Sequence, residues 1–335
     1  MDWNKGFTYK LYGRIVDPSS WADKEQFNIP EGTISKTDSE IRESANITVL
    51  DFNPVGEQWI RVYMDISQND DSYHVPLFTG IATSPSFDVD GIVSRTKMEC
   101  YSALKPLEDI VLPRGWYARA YRETDRILKE LFESTPAPVE YAEDLPTLER
   151  HLVSEDNESC LSMLDKMVEA LDLTVRINGD GSIRIARSDY EPQATFTPTD
   201  FDIIEPQLTI KNDWYECPNV VMCIDDELMA IARDDNEESS LSVQNRGREI
   251  WYVEDGVDLG EDESLAEYAR RTLQKKQMAV ETLSYKRRFV PDLQIGDCVR
   301  IRYPQFAGIY RIVSQRFDMD GSVSEEVARL YEQNR

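Results

Sequence analysis

Histidines are the first residues to consider, because imidazole is the side chain that most often transfers protons near neutral pH. The chain has two: His74 follows Tyr73 on a predicted strand, and His151 lies in a polar connecting segment. Neither belongs to a His-Glu-x-x-His metal motif, and the Gly-x-Ser-x-Gly pattern of a serine nucleophile does not occur. We therefore expect both histidines to have structural or surface roles.

Cysteines are the second candidates, as metal ligands or nucleophiles. Cys217 and Cys223 have a spacing that puts both on one face of a strand, but zinc sites usually need a second pair, which the sequence lacks. Cys160 and His151 match no cysteine-hydrolase motif, and Cys160 begins an apolar helix face. The five scattered cysteines predict free, buried thiols rather than a disulfide framework.

Carboxylates and glycine turns complete the search for chemistry. The residues around Gly91 and Gly321 do not have the spacing of a calcium loop, so both positions are predicted to be hairpin tips. Phosphate-binding and dinucleotide-binding glycine motifs do not occur. Acidic pairs such as Glu237 and Glu238 are expected to be solvated loop charges, although a glycosidase-type carboxylate pair stays open. We therefore predict no catalytic, cofactor-binding or metal-ligating residue.

The chain is strongly acidic throughout its length. Its 335 residues include 37 basic and 63 acidic side chains, for a net charge of −26. Such a surface repels phosphate backbones, so we expect no direct nucleic-acid binding. The longest uncharged run, residues 72–87, is too short and too polar for a membrane span. The start lacks the apolar core of a signal peptide, which predicts synthesis in the cytoplasm.

The elements that would position these residues change character along the chain. Alternating apolar residues over 7–15, and apolar runs at 47–50, 59–64, 73–82 and 94–102, predict a β-rich first third. Helices are predicted at 123–134 and 160–171. A hairpin follows at 173–186, with its turn at 178–181.

Strands return in the last third, interrupted by one helix. They are predicted at 208–211, 219–224, 228–233, 280–289, 298–303, 308–313 and 323–330. Ser264 and Glu267 have the spacing of a capping box, which predicts a helix over 264–277.

This order of elements resembles a known family. Residues 9–17, 76–82 and 98–102 look like the first barrel of tail-hub proteins, which include the baseplate hub of contractile phage tails and the late-control D-like proteins. Residues 293–301 followed by 308–313 resemble the last barrel of that family, and the helix over 264–277 precedes it in the same way.

The resemblance implies an α+β fold with two small antiparallel β-barrels and an α/β region of helices and a hairpin. Residues 1–112 would form the first barrel, residues 207–233 and 280–335 the second, and residues 113–206 and 234–279 the outer α/β region. It also implies a non-enzymatic homotrimer that needs no cofactor.

In that family the trimeric ring joins the six-fold tail tube to a central spike or tip. The implied partners are the tail tube protein, a spike or tail-tip protein and the tape-measure protein. The implied location is a virion tail or a phage-tail-like particle. Two other functions stay open from the residues alone: an enzyme that acts on cell-wall carbohydrate through a carboxylate pair, and an acidic adaptor for a basic partner.

Overall fold

The computed structural model describes most of the chain. The described residues are 6–38, 42–50, 52, 54–69, 71–90, 93–198, 208–225, 228–257, 259, 263–278, 280–288, 291, 293–319 and 323–333. Strands account for 52% of the chain and helices for 15%, with large antiparallel sheets. This content confirms the predicted mixture of strand and helix.

Six strands from the first third of the chain pair in a closed cycle. They are β1 (Thr8–Val16), β2 (Asp23–Thr37), β3 (Glu43–Leu50), β4 (Gln58–Gln68), β5 (Asp71–Asp90) and β6 (Val93–Ser102). The order β1-β4-β5-β6-β3-β2 returns to its start, because β1 pairs with both β4 and β2. Alternate side chains on β4, such as Ile60, Val62 and Met64, are fully buried in the apolar cluster that these strands share.

One strand of this cycle is missing from the sequence prediction. β2 contains Pro30 and Gly32, residues that usually interrupt strands, and its pairing with β3 shifts register between Asn28 and Glu31. The irregularity lets the strand continue through these residues. Both predicted hairpin tips, at Gly91 and Gly321, lie outside the described residues.

The middle of the chain folds around its own apolar core. Its elements are α1 (Lys105–Asp109), β7 (Tyr117–Ala118), α2 (Thr124–Leu131) with a 3-10 turn (Phe132–Ser134), β8 (Val139–Tyr141), β9 (Leu152–Val153), α3 (Cys160–Ala170), β10 (Leu173–Ile177) and β11 (Ile183–Arg187). The inward faces of α2 and α3 meet β10 and β11 in this core. The two predicted helices and the predicted hairpin are confirmed.

The remaining elements begin near residue 192. They are β12 (Pro192–Phe196), β13 (Thr209–Asn212), β14 (Val220–Asp225), β15 (Leu228–Arg233), α4 (Val243–Arg246), β16 (Trp251–Asp255), α5 (Leu265–Met278), β17 (Glu281–Arg288), β18 (Cys298–Tyr303), β19 (Phe306–Asp318) and β20 (Val323–Gln333). Ser264 and Glu267 hydrogen-bond reciprocally to each other's backbone N–H at the start of α5. The predicted capping box is therefore confirmed.

Six of these strands form a second antiparallel group with one parallel pair. They follow the order β12-β18-β19-β20-β17-β13, and β19 also pairs with β2, so that both groups belong to one sheet. Between β12 and β13 no pairing occurs among the described residues, so this path is open there. The predicted pair of barrels is not shown. The sheet is ring-like, with one closed cycle of strands.

Two strands predicted for the second barrel lie elsewhere. β14 pairs with β15 and, in parallel, with β16, and the three form a separate sheet. Val221 and Cys223 on β14 are buried against α5, which supplies Ala269 and Leu273. The predicted second barrel includes residues 219–224 and 228–233, which here share a sheet with β16, a strand from the predicted outer region. The division of the chain into domains remains a prediction.

Candidate functional site

Both histidines make ordinary structural contacts. His74 and Asp65 are opposite each other on β5 and β4, and His74 Nδ1 lies 2.6 Å from Asp65 Oδ1 at an exposed position. His151 Nδ1 accepts the N–H of Ala120 at 2.9 Å, and its ring meets Tyr117 edge to face. The acceptor role places the proton of the neutral His151 imidazole on Nε2.

The five cysteines are free and buried, as predicted. Burial raises the pKa of the Cys223 thiol to about 11, and that of Cys298 also to about 11, so both stay protonated and poorly nucleophilic. Cys217 lies in the loop before β14 and not on a strand. The prediction that it shares one strand face with Cys223 is therefore wrong. Across the described part of the chain no group of three metal-ligating side chains occurs.

The turn between β10 and β11 packs closely against the closed strand cycle. Thr79 Oγ1 on β5 donates to the carbonyl of Gly179 at 2.8 Å, and Arg61 donates to the carbonyl of Asp180 at 2.9 Å. A Cβ on Gly179 would lie 1.9 Å from the carbonyl oxygen of Pro76, so this position requires glycine. The predicted hairpin tip is therefore a docking element.

The sheet of β14, β15 and β16 has one apolar face that the protomer leaves open. We call this the outer sheet face, and its most exposed members are Met229, Ile231, Trp251 and Val253. Met222 on β14 lies in register between Ile231 and Val253, so the apolar side chains form a row across the sheet. Exposed apolar patches of this kind are typical of interaction surfaces.

Sequence reasoning did not find this face. Strand alternation over 228–233 predicts one buried and one open side, but not which neighbour covers the buried side. No helix in the described ranges is long and apolar enough to span a membrane.

The complete architecture matches solved structures of tail proteins. A tail protein from Neisseria meningitidis superposes with a TM-score of 0.67 and 18% identity over 96% of each chain. The 43 kDa tail protein of prophage MuSo2 from Shewanella oneidensis gives 0.66 and 11% identity, over 97% of this chain and 98% of that one. One chain of the Francisella PdpA–VgrG complex gives 0.54 and 10% identity, over 99% of this chain and 59% of that one.

The likeness lies in the fold, since all three identities are low. No protein-family model matches the sequence, and no curated protein matches it. The chain is therefore similar in fold to phage tail proteins over 96–97% of its length, and the resemblance predicted from its sequence is confirmed at the level of the fold.

Proposed function

We propose that the protein is a structural hub of a phage tail or tail-like particle. In this role three copies form a ring that joins the six-fold tail tube to a central spike or tip, and the tape-measure protein is a further partner. The observation that carries the proposal is the match to two tail proteins over nearly the whole of both chains. The copies would be made in the host cytoplasm and assembled into the tail, and no catalytic group or bound nucleic acid is needed.

The strand arrangement supports this reading. Each protomer carries a closed cycle of six strands and an open path of six more, joined where β2 pairs with β19. Three protomers would thus present six such units in two alternating types, which suits contact with a six-fold tube. A closed ring also protects strand edges that would otherwise pair at random.

The charge of the chain supports a contact between copies through apolar surface. Each protomer carries −26, so electrostatics opposes association between copies. Burial of apolar surface must then supply the attraction, and the outer sheet face is an open apolar surface of suitable chemistry. We therefore place a second copy of the chain on this face.

The proposal is tested by mass and shape in solution. Light scattering after gel filtration, with negative-stain imaging of the same fractions, should give a particle of three copies with a central opening. The measurement is repeated with the cognate tube protein, because some rings close only on assembly. A protein that stays monomeric under both conditions would contradict the proposal.

A further inference from the structure

A cavity of about 190 Å³ lies where the end of α5 approaches β19 and β20. Three cations line it: Lys275 from α5, Arg311 from β19 and Arg329 from β20. Two aromatic rings, Tyr190 and Tyr331, form part of its wall.

The two arginines are directly opposite each other in the antiparallel register of β19 and β20. Like charges at such positions destabilise a sheet. Within the described ranges, neither arginine nor Lys275 has a carboxylate within ion-pair distance, in a chain with 63 acidic residues. Among the described residues that line the cavity, the one acidic side chain is Asp38, whose Oδ1 lies 3.5 Å from Arg42 Nη1. The described lining therefore carries three cations and one carboxylate, which is shared with Arg42.

Arg311 is held in place by its surroundings. Its guanidinium lies 5.8 Å from the centroid of Tyr190, whose ring stacks on Tyr331 at 4.1 Å. The Tyr190 hydroxyl donates a hydrogen bond to Asp172 at 2.5 Å, which holds the two stacked tyrosine rings in place. Arg311 Nη2 also donates to Thr174 Oγ1 at 3.5 Å, which leaves the guanidinium held in place but without a carboxylate partner among the described residues.

We propose that this cavity binds carboxylate side chains from an acidic polypeptide segment that also carries aromatic residues. Arginines recognise carboxylates through paired, charge-assisted hydrogen bonds. Met278, Val313 and the tyrosine stack give the same cavity an apolar wall for the neighbouring ring or aliphatic side chain. A nucleic-acid strand is disfavoured, because it brings a phosphate with every nucleotide to a chain of net charge −26, whereas one carboxylate side chain brings a single charge to the three cations. The proposal does not depend on the oligomeric state of the protein.

The test is a binding assay on the full chain with a labelled peptide of alternating glutamate and tyrosine. The wild type should bind it, and a matched peptide with glutamine for glutamate should bind at least about tenfold more weakly. Arg329→Gln should weaken binding of the glutamate peptide by about the same factor. Arg316→Gln is the control, since Arg316 lies on the neighbouring strand β19, pairs with Asp318 and does not line the cavity.

Thermal unfolding without peptide supplies an independent reading. Arg329→Gln removes one of two opposed charges, so its melting temperature should equal or exceed that of the wild type. A clear drop would overturn the proposal, because Arg329 would then stabilise the fold. Equal binding of the two peptides, equal binding by Arg329→Gln, or stronger competition by inorganic phosphate or an oligonucleotide than by the unlabelled glutamate peptide would also overturn it.

Discussion

Glu158 is a buried carboxylate with a full set of partners next to the start of α3. Its two oxygens accept the N–H of Glu155 at 2.8 Å and the hydroxyl of Ser162 at 3.2 Å, and Lys166 lies at 2.9 Å. Burial favours the neutral acid, but these hydrogen bonds and the lysine outweigh it and lower the pKa of Glu158. The carboxylate therefore stabilises the fold in its charged form.

Glu158→Gln should reduce the free energy of unfolding by about 1–3 kcal/mol at neutral pH. Because the folded-state pKa is lowered, this stabilisation is present above the pKa of the unfolded chain and is lost as pH falls through the folded value. The difference between wild type and variant should thus shrink in acid. Urea unfolding at neutral pH and near pH ~4 measures both effects.

Glu130→Gln is the matched control for this prediction. Glu130 pairs with Arg122 on the surface, where both side chains are more than a third exposed, so the same substitution should change stability by less than about 1 kcal/mol. Equal urea midpoints for Glu158→Gln and the wild type at neutral pH would show that the buried contacts do not contribute.

At the scale of elements, the turn between β10 and β11 should be sensitive to a single methyl group. Gly179→Ala places its Cβ against the backbone of Pro76, so the turn must move away from β5 and lengthen the hydrogen bond from Thr79. We expect a loss of about 1–3 kcal/mol in urea unfolding. Gly6→Ala, where a Cβ meets nothing within 4 Å, should leave stability nearly unchanged. Similar midpoints for both variants would contradict the fitted docking of this turn.

Local signals predict elements well in this chain and pairing partners poorly. The apolar spacing predicts α2 and the capping box predicts α5, because these signals act within a few residues. β14 and β15 share a sheet with β16, a strand from a later segment that the spacing within β14 and β15 does not predict. The opposition of Arg311 and Arg329 depends on the register between two strands, which composition and spacing do not determine.

At the scale of the whole molecule, the proposed ring requires copies of like charge to associate. Val253→Glu puts a charge on the outer sheet face, so it should convert the assembled ring to monomers while leaving the melting temperature close to that of the wild type. Val55→Glu makes the same change at an isolated valine that is 92% exposed, and its ring should persist. Gel filtration with light scattering compares the two. If the Val253→Glu variant forms a ring as stable as the ring of the Val55→Glu variant, the contact between subunits does not involve the outer sheet face.

The pairing of β2 with β19 also sets an order of events during synthesis. Residues 33–36 of β2 pair with β3 on one side, and residues 33–37 pair with residues 314–318 of β19 on the other. The closed cycle of β1 to β6 can form once residue 102 has left the ribosome. The strand that pairs with the other edge of β2, β19, emerges more than two hundred residues later. At roughly 5–20 residues per second, that interval is on the order of tens of seconds. For that time the nascent chain carries an open strand edge, which is the segment where a chaperone or a premature contact with another nascent copy would act.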